Sequence, residues 1–390
     1  MIRTQGVTGP QGFRAAGVAA GIKESGALDL ALVVNDGPND AAAAVFTTNQ
    51  VKAAPVLWSQ QVIKERRLTA VVLNSGGANA CTGPEGFQDT HATAEKVGEA
   101  LATGAGEVAV CSTGLIGERL PMDRLLPGVD AAVAELAGTE AAGLAAATAV
   151  MTTDSHPKQS WTRHPDGWSV GGFVKGAGML APNMATMLSV ITTDAVISGD
   201  ALDAALRHAV TRTFDRLDVD GGTSTNDTVI VLSSGASGIE PEADDFAELL
   251  TAVAGDLVKQ LQGDAEGATK EISVTVMGAR TEADAVTVGK TVAEDNLVKT
   301  ALFGSDPNWG RVAMAVGRSA AEVDPDRLGI TINGVTLFAD GHKAADRSEA
   351  DLSGRDISIV VELGLGEGSA TVLTTDLSHG YVEENSAYSS

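Results

Sequence analysis

A threonine hydroxyl attacks a carbonyl carbon only when a base beside it takes its proton, and the amino group of an N-terminal threonine is one such base. The chain holds an internal threonine in a setting that could expose such an amine: Lys175-Gly-Ala-Gly-Met-Leu-Ala-Pro-Asn-Met-Ala-Thr-Met-Leu188. Gly176 and Gly178 mark backbone that turns sharply or lies against another group, and Pro182 disfavours helical geometry at Ala181. From Thr186 to Thr193 the residues are rich in β-branched types and predict a buried strand. Thr186 therefore opens a strand behind a kinked, glycine-rich approach. Attack of its Oγ on the Ala185 carbonyl, an N-to-O acyl shift and hydrolysis of the ester would cut the chain between Ala185 and Thr186. The freed α-amine would titrate at about 7.7–8.0, which suits a general base near neutral pH. Ala185 adds little bulk in front of that attack.

For an arbitrary Ala-Thr pair, an ordinary turn and strand would be the better reading. Here the length and order of the stretch decide otherwise. Lys-Gly-x-Gly-Met-x-x-Pro-x-Met-Ala-Thr-Met resembles the self-cleavage site of the ornithine acetyltransferases, the glutamate N-acetyltransferases of arginine biosynthesis. The resemblance runs from near residue 12 to residue 390 and implies Thr186 as the nucleophile. A transferred acyl group also needs donors aimed at its developing oxyanion. Thr113-Gly114, at the end of a predicted strand, offers a hydroxyl and a glycine amide that can approach a substrate. Ser-Thr-Gly alone is a common turn, but Ser112 through Pro121 follows the family's Ser-Thr-Gly-x-Ile-Gly-x-x-Leu-Pro. This implies that Thr113 and Gly114 form the oxyanion hole.

The family's substrate is an N-acetylated amino acid, whose α-carboxylate calls for a cation or several donors. The resemblance implies substrate contacts from Thr152 in Met151-Thr-Thr-Asp154, from Lys175 and Thr186, and from Glu266 in Gly263-Asp-Ala-Glu-Gly-Ala-Thr-Lys270. It adds Asn385 and Ser390 in the terminal Tyr381-Val-Glu-Glu-Asn-Ser-Ala-Tyr-Ser-Ser390. Without it, Lys175 would pass for a surface charge, Glu266 for a loop carboxylate and the tail for a frayed end. Glu266 is expected to meet a substrate ammonium or to position the N-terminal amine. Phe46-Thr-Thr-Asn49 and Ser305-Asp-Pro-Asn-Trp-Gly-Arg311 are further matches. Gly77 and Gly222 depart from the pattern, standing where the family has asparagine and aspartate. The departures bear on packing or substrate preference near those two loops.

The elements that must carry these residues alternate between strand and helix. Strands are predicted at Leu28–Asn35, Ala42–Thr48, Leu68–Leu73, Glu107–Cys111, Thr186–Thr193, Val229–Leu232, Glu271–Met277, Ile357–Glu362 and Ala370–Thr374. Asn333-Gly334 pins a hairpin over Leu328–Phe338. Helices are predicted over Phe87–Leu101, Val129–Ala149, Ala201–Phe214, Phe246–Gln262, Val292–Leu302 and Arg311–Arg318. The mixture favours an α+β fold over a doubly wound sheet. The resemblance implies a layered α/β/β/α sandwich of the self-cleaving aminopeptidase and ornithine acetyltransferase type, with additional smaller α+β structure in the C-terminal half. Cleavage would give an alpha chain, 1–185, carrying the oxyanion hole and the cleavage motif. The beta chain, 186–390, would start with the nucleophile strand and include a C-terminal α+β domain from about residue 270.

Composition excludes several function classes. The chain has 27 Lys and Arg against 51 Asp and Glu, a formal charge of −24, and no basic cluster. Nucleic acid and anionic membranes are therefore not its partners. Cys81 and Cys111 show no Cys-x-x-Cys or Cys/His spacing and predict two buried free thiols in a reducing cytosol. The six histidines lack i, i+4 pairing, so no metal site is expected. Gly221-Gly222-Thr-Ser-Thr precedes a strand without a following Lys-Ser/Thr, which argues against a P-loop. The N-terminus lacks the apolar core of a signal peptide, and Ala131–Met151 carries Glu135 and Glu140, as a helix of a soluble protein would. The expectation is a cytoplasmic acyltransferase without cofactor, acting on small amino-acid substrates.

The reaction the resemblance implies is acetyl transfer from N2-acetyl-L-ornithine to L-glutamate through acetyl-Thr186. Acetyl-CoA is a candidate second donor, although no CoA-specific motif is present. The two cleaved chains are expected to stay together and to pair as a dimer of cleaved pairs. A related self-processing aminopeptidase or amidase would share nucleophile and oxyanion hole, with water as the acceptor. A non-catalytic binding protein of the same fold would keep the Ala185–Thr186 bond intact.

Overall fold

Period-two alternation of apolar residues sorts the strands into two stacked sheets in the computed structural model, which describes residues 1–180 and 187–387. Strands β1 (Phe13–Val18), β2 (Leu30–Asn35), β4 (Ala70–Ser75) and β5 (Val108–Thr113) form one sheet in that order, with β4 and β5 parallel. The other runs β3 (Ala42–Phe46), β9 (Thr228–Ser233), β8 (Leu188–Thr193), β7 (Ser169–Lys175), β6 (Lys158–Arg163), with β8 and β9 parallel. Val33, Leu73 and Cys111 of the first sheet pack against Phe173, Val190 and Ile230 of the second. Their neighbours Leu32, Val72 and Val110 turn the other way, into a core shared with Val97 and Val129 from helices α2 (Gly83–Leu101) and α3 (Met122–Ala134). Ile191, Val229 and Val231 likewise pack with Leu206 and Leu257 from α5 (Gly199–Arg212) and α6 (Ala243–Gly263). The result is the expected α/β/β/α order. Helices α1 (Ala54–Val62) and α4 (Glu140–Ala149) pack on β5 and β1.

Residues after Lys270 build a six-stranded sheet with a core of its own. Its order is β13 (His342–Lys343), β12 (Val335–Ala339), β11 (Gly329–Ile332), β14 (Asp356–Glu362), β10 (Glu271–Ala279), β15 (Gly368–Thr375). Helices α7 (Glu282–Ala293), α8 (Asn296–Phe303) and α9 (Trp309–Gly317) supply the other apolar surface. Asn333 and Gly334 both take positive φ, 45° and 80°, as a two-residue type I′ hairpin requires. The Asp218 amide donates to Leu373 O at 2.8 Å, tying this sheet to the sandwich.

Several elements differ from the sequence reading. The single helix expected over Val129–Ala149 is two, because Gly138 interrupts it and the Thr139 side chain caps α4 by accepting the Ala142 amide. Val292–Leu302 also divides, at Asp295, whose carboxylate caps α8 by accepting the Leu297 and Val298 amides. Strands β1, β6 and β7 are not among the elements the sequence predicts. Their glycines and buried polar residues, as in Ser-Val-Gly-Gly-Phe-Val-Lys, blur the apolar alternation. The tail is no frayed end through Ala387, for it forms α10 (His379–Ala387). Among the described residues no helix is long and apolar enough to cross a membrane.

The thiols need a correction too: Cys111 is buried, but Cys81 is exposed. Cys81 sits in a loop at φ 57°, outside any strand that would carry it inward. Burial pushes the Cys111 thiol up to about 12. Alkylation at pH 8 should therefore add one label to the native protein, at Cys81, and a second only after denaturation. Two labels on native protein, read by intact mass, would contradict this placement.

Candidate active site

The site lies at one end of the sandwich, where β5 and β7 finish and β8 and β9 begin. A cavity there, about 620 Å³ counted out to its mouth, is lined by Thr113, Gly114, Thr152, Lys175, Glu266 and Asn385, drawn from five separate stretches of chain. Six of the sequence-predicted residues thus meet around one space. The remaining three, Ala185, Thr186 and Ser390, lie outside the described residues.

Lys175 is the last residue of β7 and is 1% exposed. Its Nζ donates to Thr152 Oγ1 at 2.7 Å and to Thr113 Oγ1 at 3.4 Å. Burial pushes this ammonium below the usual lysine range, Asp154 opposes the fall, and Lys158 adds to it. Asp154 Oδ2 lies 3.9 Å from Lys175 Nζ and accepts the Thr152 amide at 3.0 Å. Its Oδ1 accepts Lys158 Nζ at 2.7 Å and the Gly176 amide at 2.6 Å. Burial pushes the Asp154 carboxyl up, but the two lysines outweigh it and hold the group at about 2. Lys158 continues the chain of charge to Asp264 Oδ2 at 2.5 Å. Alternating signs offset the cost of burying these side chains, and Asp154 fixes both Lys175 and the loop bearing Thr152.

The Thr113-Gly114 turn is clamped from below. Gly114 adopts φ 128°, and a Cβ there would fall 2.6 Å from the Gly77 nitrogen. Only glycine lets the two backbones approach so closely. The Gly77 amide donates to Thr113 O at 3.0 Å, and Ser112 Oγ to Asn74 Oδ1 at 2.6 Å. Because Lys175 donates to Thr113 Oγ1, that oxygen acts as acceptor there and its own proton is left to point elsewhere.

Glu266 is 6% exposed and lines the same cavity. A Cβ on Gly178 would lie 2.2 Å from Glu266 Oε2, so the second glycine of the Lys-Gly-x-Gly run is the space this carboxylate occupies. The Glu266 amide donates to Ala177 O at 2.9 Å. Helix α10 is seated on the same loop: the Tyr381 amide donates to Ser378 Oγ at 3.0 Å, and that hydroxyl donates in turn to Gly267 O. This seating brings Asn385 to the rim of the cavity.

Ser224, Thr225 and Asn226 also line the cavity, and sequence reasoning did not place them there. Asn226 Nδ2 donates to Ala78 O at 2.7 Å and to Ser112 O at 2.8 Å, joining the loop before β9 to the oxyanion turn. The signal for them in the sequence is the run of small polar residues after Asp218. The two departures have simple local settings. A side chain at 77 would meet Leu120 Cδ2 at 2.8 Å, and one at 222 would meet Met179 Cγ at 3.0 Å. Met179 lines the cavity, so Gly222 reaches the site through it.

A family model described as the ArgJ family matches residues 14–390. A Mycolicibacterium paratuberculosis protein named arginine biosynthesis bifunctional protein ArgJ is 62% identical over 395 residues, covering 100% of this chain and 98% of the relative. A namesake from Streptomyces coelicolor is 60% identical over 384 residues, covering 98% of this chain and 100% of the relative. Among solved structures, an ornithine acetyltransferase from Mycobacterium tuberculosis, complexed with ornithine, is 66% identical with a TM-score of 0.46. The match covers 48% of this chain and 98% of that one.

Proposed function

Because the chain belongs to the ArgJ family and is an acyltransferase of arginine biosynthesis, we propose that it moves acetyl from N2-acetyl-L-ornithine to L-glutamate through an ester on Thr186. The products are L-ornithine and N-acetyl-L-glutamate. Self-cleavage between Ala185 and Thr186 supplies the amine that takes the hydroxyl proton. Thr186 Oγ then attacks the acetyl carbonyl, and the Thr113 hydroxyl and Gly114 amide receive the oxyanion. Collapse expels the ornithine nitrogen, which carries away the proton, and glutamate reverses the sequence. Lys175 and Thr152 hold the α-carboxylate common to both substrates, Glu266 faces an ammonium, and Asn385 and Ser390 close the mouth.

The observation that carries this reading is the convergence of Thr113, Gly114, Thr152, Lys175, Glu266 and Asn385 on one cavity at the end of β7. Cut chains would stay joined, since β7 and β8, on either side of the cut, pair residue by residue from Val170–Thr193 to Lys175–Leu188. The word bifunctional in the relatives' names supports acetyl-CoA as a second donor. Two cleaved pairs associate, and the enzyme works in the cytoplasm on small molecules.

Incubation with N2-acetylornithine and no acceptor should add one acetyl group to the fragment beginning at Thr186, seen by intact mass. Glutamate should remove it with stoichiometric N-acetylglutamate. Steady turnover with no acetylated fragment at any time would rule out the covalent path, and acetate instead of N-acetylglutamate would favour the hydrolase.

A further inference from the structure

Before cleavage Thr186 is internal, so the amine that serves as base in acetyl transfer does not yet exist. Some other group must take its hydroxyl proton for the Ala185–Thr186 bond to open. Asp227 directly precedes β9 and is 0% exposed. The parallel register sets Thr228 beside Leu188 at the entry to β8. Asp227 Oδ1 accepts the Met187 amide at 3.0 Å, the peptide that joins Met187 to Thr186. Its Oδ2 is buried and has no well-aligned hydrogen-bond donor among the described residues, although Ser224 lies beside the carboxylate. Buried carboxylate oxygens are nearly always paired, so one that is not calls for an explanation. Burial pushes this carboxyl well above the ordinary carboxylate range, against the pull of the Met187 amide, of the neighbouring Ser224 hydroxyl and amide, and of the Lys175 charge. A carboxylate so placed is a stronger base than one on the surface. The transfer mechanism makes no use of it.

We propose that Asp227 is the base for self-cleavage, a role that rests on reading Thr186 as the nucleophile. Oδ2 takes the Thr186 Oγ proton as Oγ bonds to the Ala185 carbonyl carbon. Asp227 then returns that proton to the Thr186 nitrogen as the C–N bond breaks. The product is an ester between the Ala185 carbonyl and Thr186 Oγ. Water hydrolyses it, leaving the Ala185 carboxylate and a free Thr186 amine. From that point the amine is the base, and Asp227 has finished its chemistry.

Asp227→Asn keeps an acceptor for the Met187 amide but cannot take a proton. In the full-length chain it should slow cleavage by about 10²–10⁴-fold, followed by denaturing electrophoresis with N-terminal sequencing. Its thermal midpoint should match that of an uncut Thr186→Ala chain. Asp227→Ala opens room for a small carboxylate, and formate should restore its cleavage in a concentration-dependent way. Asp227→Asn cutting as fast as wild type would overturn the assignment. So would an uncut Asp227→Ala that formate does not restore, which would mark Asp227 as structural. These failures differ from failure of the Thr186 reading itself, which a wild-type chain that is active without being cut would reveal.

Discussion

Thr186→Ala should purify as one uncut chain and should show no measurable acetyl transfer. Two losses combine. A methyl group cannot attack the Ala185 carbonyl, so the chain stays whole and no α-amine forms. It cannot carry acetyl either, so the covalent path is closed even if substrates bind. Loss of a nucleophile whose partners act as a unit costs on the order of 10⁶-fold in rate. Thr186→Ser keeps a hydroxyl and should still cleave, with activity between the two. The fold should survive the alanine change, because the strands flanking the site are buried on both faces and held by β7–β8 and β8–β9 pairing. Denaturing gels, N-terminal sequencing and an assay of acetyl exchange decide the matter. Two fragments from Thr186→Ala, or full activity in its uncut chain, would end the proposed mechanism.

What could be read in advance divides along physical lines. Strands rich in β-branched residues, such as β5, β8 and β9, announce themselves because burial on both faces demands continuous apolar side chains. β7 did not, although it carries Lys175, because its paired glycines and terminal lysine imitate a loop. Thr113, Gly114, Lys175 and Glu266 were legible only as parts of ordered motifs. Each alone is an ordinary turn or surface residue. Partnerships between distant segments were not legible at all. Nothing in the spacing of Asp154, Lys158 and Asp264 shows that they form one buried chain of charge ending at Lys175. Asp227 was hidden in the same way, since its significance lies in the strand register that sets it beside Met187.

Lys175→Ala tests how one pocket could serve both of the proposed substrates, ornithine and glutamate, whose side chains carry opposite charges. A shared site must grip most firmly what the substrates share, the α-carboxylate and the α-nitrogen. Side-chain ends must be held by groups that tolerate either sign, since a fixed buried charge would reject one of them. Lys175 is a buried cation of the cavity wall, and its removal leaves a bound carboxylate facing Thr113 and Thr152, with the carboxylates of Asp154 and Glu266 near it. Losing the partner of a desolvated charge typically costs about 2–5 kcal/mol, or about 30-fold to several thousand-fold in kcat/KM. The loss should appear in the KM for N2-acetylornithine and for glutamate alike. A smaller loss in kcat should accompany it, because Thr113 would no longer be oriented from Nζ. Cleavage at Ala185 should continue, as Lys175 takes no part in the proposed proton transfer. Burial lowers the Lys175 ammonium below the ordinary lysine range, so its charge disappears as pH rises through that depressed value. In wild type, KM for both substrates should therefore climb on the alkaline side earlier than an exposed lysine would dictate, and Lys175→Ala should lack this limb. Loss of ornithine turnover with glutamate turnover intact would break the common-carboxylate argument, because a cation shared by two substrates cannot be missed by only one of them.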